Sequence, residues 1–240
     1  SADDGVQHTI WVIDDEKNIA DLTATFDAMN CLYIADGHHR SAAGSRVAAL
    51  RNKNSGAKNG EQNHDYFLTV IFPDNQMMIL DYNRVIKDLN GLSNDEFLKQ
   101  CAENFDVQVS DRQVKPEKPN IFGMYLDTQW YRLVIKDDRI PKEDPVGRLD
   151  VSLLQNNLIS PILAIDDLRR DKRIDFVGGI RGLGELEKRV NSGEMQVAFA
   201  LHATQLSDLM AVADAEKVMP PKSTWFEPKL ADGLISHVLD

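Results

Sequence analysis

The segment Tyr33-Ile34-Ala35-Asp36-Gly37-His38-His39-Arg40-Ser41-Ala42-Ala43 gathers groups able to hold an anion. Gly37 permits a tight turn and close approach of a ligand to the backbone. If a helix starts at His38, the N–H groups of its first turn lack carbonyl partners and point outward. Arg40 then adds a charge-assisted hydrogen bond to a phosphate oxygen. Asp36 has three readings at this spacing: a cap for the helix, a group that orients a hydroxyl nucleophile, or a contact to phosphate-bound Mg²⁺. A plainer reading stands beside these, in which Asp36 only caps, Arg40 closes a surface ion pair and one His is a satisfied core residue. Zinc is disfavoured, because adjacent His residues lack four-ligand spacing and have no Cys partner at such a spacing.

A second signal is Met219-Pro220-Pro221-Lys222-Ser223-Thr224-Trp225-Phe226-Glu227-Pro228-Lys229. Its prolines restrict the backbone ahead of Lys222, Ser223 and Thr224. Lys222 offers a point charge to phosphate, and the two hydroxyls can donate to an anion or meet a metal. The glycines of a P-loop are missing upstream of Lys222. The alternative is a rigid closing turn with Trp225 and Phe226 over the core. Gly178-Gly179-Ile180-Arg181-Gly182-Leu183-Gly184 lacks dinucleotide-binding spacing and reads as a flexible turn, with exposed amides beside Arg181 as the rival account. No Gly-x-Ser-x-Gly elbow occurs, and neither Cys31 nor Cys101 has a His at catalytic spacing, so acyl transfer and thiol hydrolysis lack support.

These residues need elements to place them. Residues 9–13 predict a strand, 19–29 a short amphipathic helix, and the apolar run 31–35 a strand covered on both faces. A helix follows from His38 to about Asn52, then a polar mobile loop to Asn63. Residues 66–72 and 77–80 predict an antiparallel hairpin around the turn at 73–76. Ser93-Asn94-Asp95-Glu96 is a capping box opening a helix with Phe97, Leu98 and Cys101 on its buried stripe. Strands are predicted at 105–109, 120–126 and 130–135, and Asp150 as the cap of a helix containing Leu153, Leu154 and Leu158. Residues 161–165 read as extended, 195–201 as a strand, and helices are expected from about Glu185 and over 205–215. The pattern favours an α+β fold, a mixed sheet with flanking helices. A seam at 115–119 divides the chain into a phosphate-site lobe, 1–114, and a second α/β lobe, 115–240, closing back through 219–229.

Composition narrows the function. A chain of 240 residues can bury about 70% of its extended surface. With 42% hydrophobic and 27% charged residues, it is neither disordered nor a disulfide miniprotein. Lys plus Arg number 27 against 38 Asp plus Glu, a net charge of -11. A long-range field of that sign repels nucleic acid, although local donors still bind small anions. Two cysteines and no membrane-length apolar run point to a reducing, cytoplasmic setting with no membrane partner. The opening Ser1-Ala2-Asp3-Asp4-Gly5, without Met, suggests a domain cut from a longer protein, whose N-terminal remainder would then be a partner.

His8-Thr9-Ile10-Trp11-Val12, Tyr33 to Arg40 and the Met219 to Lys229 segment strongly resemble one bacterial family, the domain of unknown function numbered one thousand and fifteen. The resemblance runs from near residue 6 to near residue 238 and looks like the C-terminal part of a longer member. More distantly, Asp36-Gly37-His38-His39-Arg40 is similar to phosphate-binding turns of the ParB and sulfiredoxin superfamily, and most of all to that of the free-serine kinases. The resemblance implies a ParB/sulfiredoxin-like strand-turn-helix phosphate site. Asp36 and His38 would be catalytic, Asp36 acting near the substrate hydroxyl. Gly37, His38, His39 and Arg40, with Lys222, Ser223 and Thr224, would hold the cofactor, ATP or ADP with Mg²⁺. No residue matches the kinase's upstream catalytic Glu, no Cys lies in the turn as sulfiredoxin chemistry requires, and no basic helix-turn-helix is evident. The expected activity is nucleotide-dependent phosphoryl transfer to a small hydroxylated metabolite, free serine among them. The alternative is a non-catalytic nucleotide- or phosphate-binding module.

Overall fold

The structure, a computed structural model, describes residues 5, 7–55, 62–227 and 233–239. Residues 1–4, the centre of the expected polar loop, and Pro228 with Lys229 lie outside the described residues. The chain forms two compact units, Ser1–Gly37 and His38–Asp240.

The described residues of the first unit contain one helix, α1 (Glu16–Asp27), capped by Asp15, whose carboxylate accepts the Asn18 N–H at 2.8 Å. Its start and stop differ from the predicted 19–29 because the Asp15 cap sets the first turn earlier than the apolar stripe does. The strands expected at 9–13 and 31–35 are absent. Both stretches are irregular, and Trp11, Val12, Leu32 and Ile34 are exposed. An extended chain becomes a strand only when another strand takes its N–H and C=O groups, so apolar side chains alone do not make one.

The second unit opens with α2 (His38–Ser55) and continues through β1 (Met78–Leu80), β2 (Tyr82–Ile86), α3 (Asn94–Asn104), β3 (Phe105–Ser110), β4 (Ile121–Leu126) and β5 (Gln129–Ile135). Then come α4 (Asp150–Leu154), a π-helical turn over Gln155–Ile159, α5 (Ser160–Leu163), β6 (Ile174–Gly178), α6 (Leu183–Asn191), β7 (Val197–Ala200), α7 (Leu206–Asp214) and β8 (Trp225–Glu227). Six strands make one sheet in the order β3-β5-β4-β7-β2-β6, and every ladder in it is antiparallel, so the sheet is not mixed. The expected seam at 115–119 joins β3 to β4, both of which pair with β5.

The 66–72 and 77–80 hairpin does not form. Residues 66–72 carry no strand, and β1 pairs instead with β8, Ile79 opposite Phe226. Residues 161–165 begin as helix rather than extended chain, because α5 continues the helical path of α4 through the π turn with Pro161 in its first turn, where a missing N–H does no harm. Ala164 ends it in the left-handed region at φ 52.

Side chains alternate across the sheet. Ile86, Phe122, Met124, Leu126, Leu133 and Phe199 point to one face, where α3, α4 and α5 supply Phe97, Cys101, Leu154 and Leu163. Val85, Tyr125, Trp130, Val177 and Ala198 point to the other, against Leu186 of α6. Both faces are covered, which is why β4 is buried at every position. Asp127 and Thr128 link β4 to β5 with φ 48 and 62, the positive-φ pair of the tight hairpin turn that matches strand twist. The Ser93–Glu96 capping box is present as predicted.

Candidate functional site

Asp36 and Gly37 end the first unit, and His38 begins the second. Gly37 has φ 82, a left-handed value that a side chain would oppose. The chain then enters α2, whose first turn contains His38, His39 and Arg40 and no acidic residue. All three side chains are exposed. A helix of 18 residues concentrates positive partial charge at this end, and no carboxylate in the first turn offsets it. Asp36 is exposed, and its Oδ1 accepts the Gly37 N–H at 2.8 Å.

Lys222, Ser223 and Thr224 precede β8. The Ser223 side chain is buried, and its hydroxyl donates to the Pro220 carbonyl at 2.7 Å. Thr204 Oγ1 donates to the Ser223 carbonyl at 3.0 Å. Ser223 thus closes the turn. Lys222 is exposed at φ 58, and its ammonium lies 5.7 Å from the Tyr82 ring centroid and 6.0 Å from that of Phe176. Among the described residues no hydrogen bond or ion pair links His38 or His39 to Lys222, Ser223 or Thr224.

The residues gathered around Lys222 are ones sequence reasoning passes over. Arg84, in the middle of β2, is buried, and burial lowers its pKa to about 10. Asn83 is fully buried on the opposite face, where its Oδ1 accepts the Leu201 N–H at 3.0 Å and its Nδ2 donates to Asp81 at 2.6 Å. Two polar residues inside Tyr82-Asn83-Arg84-Val85-Ile86 disguise a buried strand. The available signal was alternation, with Tyr82, Arg84 and Ile86 on one face.

The glycines at 178–182 serve this packing. A Cβ on Gly178 would sit 2.9 Å from the Trp225 ring, and one on Gly179 would sit 2.1 Å from Asp81 Oδ1. The Gly179 N–H donates to the Asp81 carbonyl at 2.8 Å and the Gly182 N–H to the Gly179 carbonyl at 2.9 Å. Those two amides are engaged within the fold, which disfavours the exposed-amide account of this stretch.

Asp150 occupies the first position of α4 rather than its cap. Its Oδ1 accepts the Asn120 N–H at 2.8 Å, and its buried Oδ2 has no partner among the described residues. Burial pushes its pKa up to about 7, with the charge of Asp208 adding to the rise. Cys101, packed into the core by α3, has its thiol raised to about 12 by burial, whereas Cys31 is exposed rather than buried in a strand. Among the described residues no group of three His, Cys, Asp or Glu side chains is placed to hold a metal ion, and no helix is long and apolar enough to cross a membrane.

Several solved structures are similar to this chain. A free serine kinase mutant in complex with AMP is 15% identical over 88% of this chain and 78% of its own, with a TM-score of 0.45. A free serine kinase in complex with AMP is 14% identical over 90% and 81%, also at 0.45. A conserved hypothetical protein from Pyrococcus furiosus is 16% identical over 88% and 81%, again at 0.45. No curated protein matches the sequence. The family described as "Protein of unknown function (DUF1015)" matches residues 1–152, a span that takes in Asp36 to Arg40 and ends before the Lys222 segment. With more than half of its length matched, the chain belongs to this family.

Proposed function

We propose that this protein is a nucleotide- or phosphate-binding module whose primary contact is the first turn of α2. One observation carries the reading: a glycine at φ 82 leads into an 18-residue helix whose first turn holds His38, His39 and Arg40 and no acid. Phosphate oxygens accept well from helix-start amides, and a guanidinium adds directional, charge-assisted bonds. The donor set suits ADP or ATP, with Gly37 allowing the backbone to approach and Lys222 and Thr224 as a further candidate contact segment. Bound Mg²⁺ would neutralise phosphate charge, and Asp36 is the carboxylate next to the turn in sequence.

The finer reading is phosphoryl transfer to a small hydroxylated acceptor such as free serine. It is supported by the Asp36 carboxylate, which directly precedes Gly37 in sequence and accepts its N–H at 2.8 Å. In that role Asp36 would orient or deprotonate the acceptor hydroxyl, and His38 would assist. Calorimetric titration with ADP and ATP, with and without Mg²⁺, tests the binding module. Saturable heat that weakens about tenfold in Arg40→Ala supports it, and no heat with either nucleotide sinks it. Serine-dependent ADP release that is lost in Asp36→Asn, with nucleotide affinity kept, would raise the module to a kinase.

A further inference from the structure

Arg84 lies on β2 with Tyr82, and the register sets Phe176 and Gly178 of β6 opposite them on the same face. Its guanidinium donates to the Tyr82 carbonyl and, at 2.9 Å, to the carbonyl of Lys222. It also lies 5.4 Å from the Phe176 ring centroid, so Arg84 and Lys222 share one aromatic ring. Among the described residues neither cation has a carboxylate at ion-pair distance. Of the acids on the surrounding elements, Asp81 bonds Asn83, Glu227 bonds the Trp225 indole, and Asp175 is ion-paired to Arg189 while the charge of Lys222 acts on it only from beyond ion-pair distance. Leaving a buried guanidinium without a counter-charge is strongly unfavourable, and bringing a second cation over the same ring adds repulsion. Lys222 moreover holds φ 58, in the left-handed region that glycine adopts more readily than a residue with a Cβ. Charge imbalance and backbone strain therefore meet at one turn, in a chain with 38 acidic residues available to balance it.

We propose that Arg84 and Lys222 form a two-cation site for a dianionic phosphoryl group. Lys222 is the contacting residue. Arg84 is a positioning residue: it fixes the turn through the Lys222 carbonyl and supplies the buried half of the charge. A phosphate monoester, with a second pKa of about 6, carries close to two negative charges at neutral pH, whereas a carboxylate carries one. Trp225, 5.6 Å from Tyr82 between ring centroids, extends an aromatic wall beside the site. The inference deepens the proposed nucleotide function at its second segment, and it rests on phosphate being the ligand class there.

The test titrates the whole chain with orthophosphate, acetate and ADP by calorimetry. Orthophosphate is expected to bind more tightly than acetate, with affinity rising as its second ionisation completes. Lys222→Gly removes the ammonium while suiting the backbone at φ 58, so it should stay folded and bind orthophosphate about tenfold more weakly. Arg84→Met should weaken it similarly, and Arg84→Lys should recover part of the affinity, a rescue that a purely packing role would not produce. Wild-type orthophosphate affinity in a folded Lys222→Gly variant, or no preference over acetate, overturns the site. Orthophosphate binding that follows Lys222 and Arg84 while ADP fails to bind would retain this site and remove the nucleotide reading. ADP binding that falls in Arg40→Ala, with no response to Lys222→Gly, would do the reverse.

Discussion

The start of α2 and the cluster around Arg84 hold the same kinds of charge in opposite settings. At α2 the basic side chains are consecutive in sequence and exposed. Around Arg84 the cations come from positions 138 apart in the chain, and one of them is sealed under aromatic rings. The first arrangement is local and adaptable. The second is fixed by the sheet, so whatever it does is done by a preformed geometry. Perturbations should therefore separate the two regions by their effect on stability before any ligand is added.

The largest separation comes from adding one methyl group to a glycine of the sheet and to a glycine of α2. Gly123→Ala in β4 would place a Cβ 2.2 Å from the Val114 carbonyl oxygen, a backbone atom that cannot step aside. A loss of about 3 kcal/mol is expected in urea denaturation. A loss of less than a third of that would mean the sheet is looser than its burial implies.

Next in size is Asp150→Asn. The carboxyl's folded pKa, about 7, is above its ordinary 3.8, so the folded state favours the protonated form. Its contribution is fully present below the unfolded value and is lost as pH rises through about 7. The neutral Asn variant should therefore be more stable than wild type by roughly 2 kcal/mol at mildly alkaline pH, with the advantage vanishing towards acid. Parallel melts across that range check it, and pH-independent differences would count against it.

Gly44→Ala in α2 should have the opposite sign to Gly123→Ala. Its Cβ would meet Phe67 at 3.8 Å, ordinary contact, so helix propensity decides and stability should rise by about 0.5–1 kcal/mol. Smallest of all is His39→Ala, expected within about 0.5 kcal/mol of wild type because the side chain is exposed. If its stability holds while ADP affinity falls, the α2 turn is a ligand surface without a structural duty. A large destabilisation would assign His39 to packing instead.

What was legible in the sequence divides along the same line. Signals carried by neighbouring residues were readable: the Ser93–Glu96 capping box, the helix beginning at His38, the β4–β5 hairpin at Asp127 and Thr128. Pairings between distant segments were not. Nothing local shows that Met78–Leu80 would take Trp225–Glu227 as its partner rather than the apolar stretch at 66–72. Apolar content also misled at 31–35, where Leu32 and Ile34 face solvent, since hydrophobicity reports a preference for burial and not the presence of a strand to pair with. Arg84 was hidden for the converse reason. A charged residue in a short segment argues for exposure, and only the sheet order reveals that β2 lies between β7 and β6.

The reach from Arg84 to the Lys222 carbonyl also sets a timetable. During synthesis at about 5–20 residues per second, the guanidinium emerges roughly 7–30 seconds before its distant acceptor exists. For the first part of that interval, until β6 and then β7 have been made, β2 has no partner strand to shelter it, and a charge at its centre keeps an unfinished edge soluble. The same side chain that later sits among aromatic rings would thus first act as a guard against premature strand association on the nascent chain.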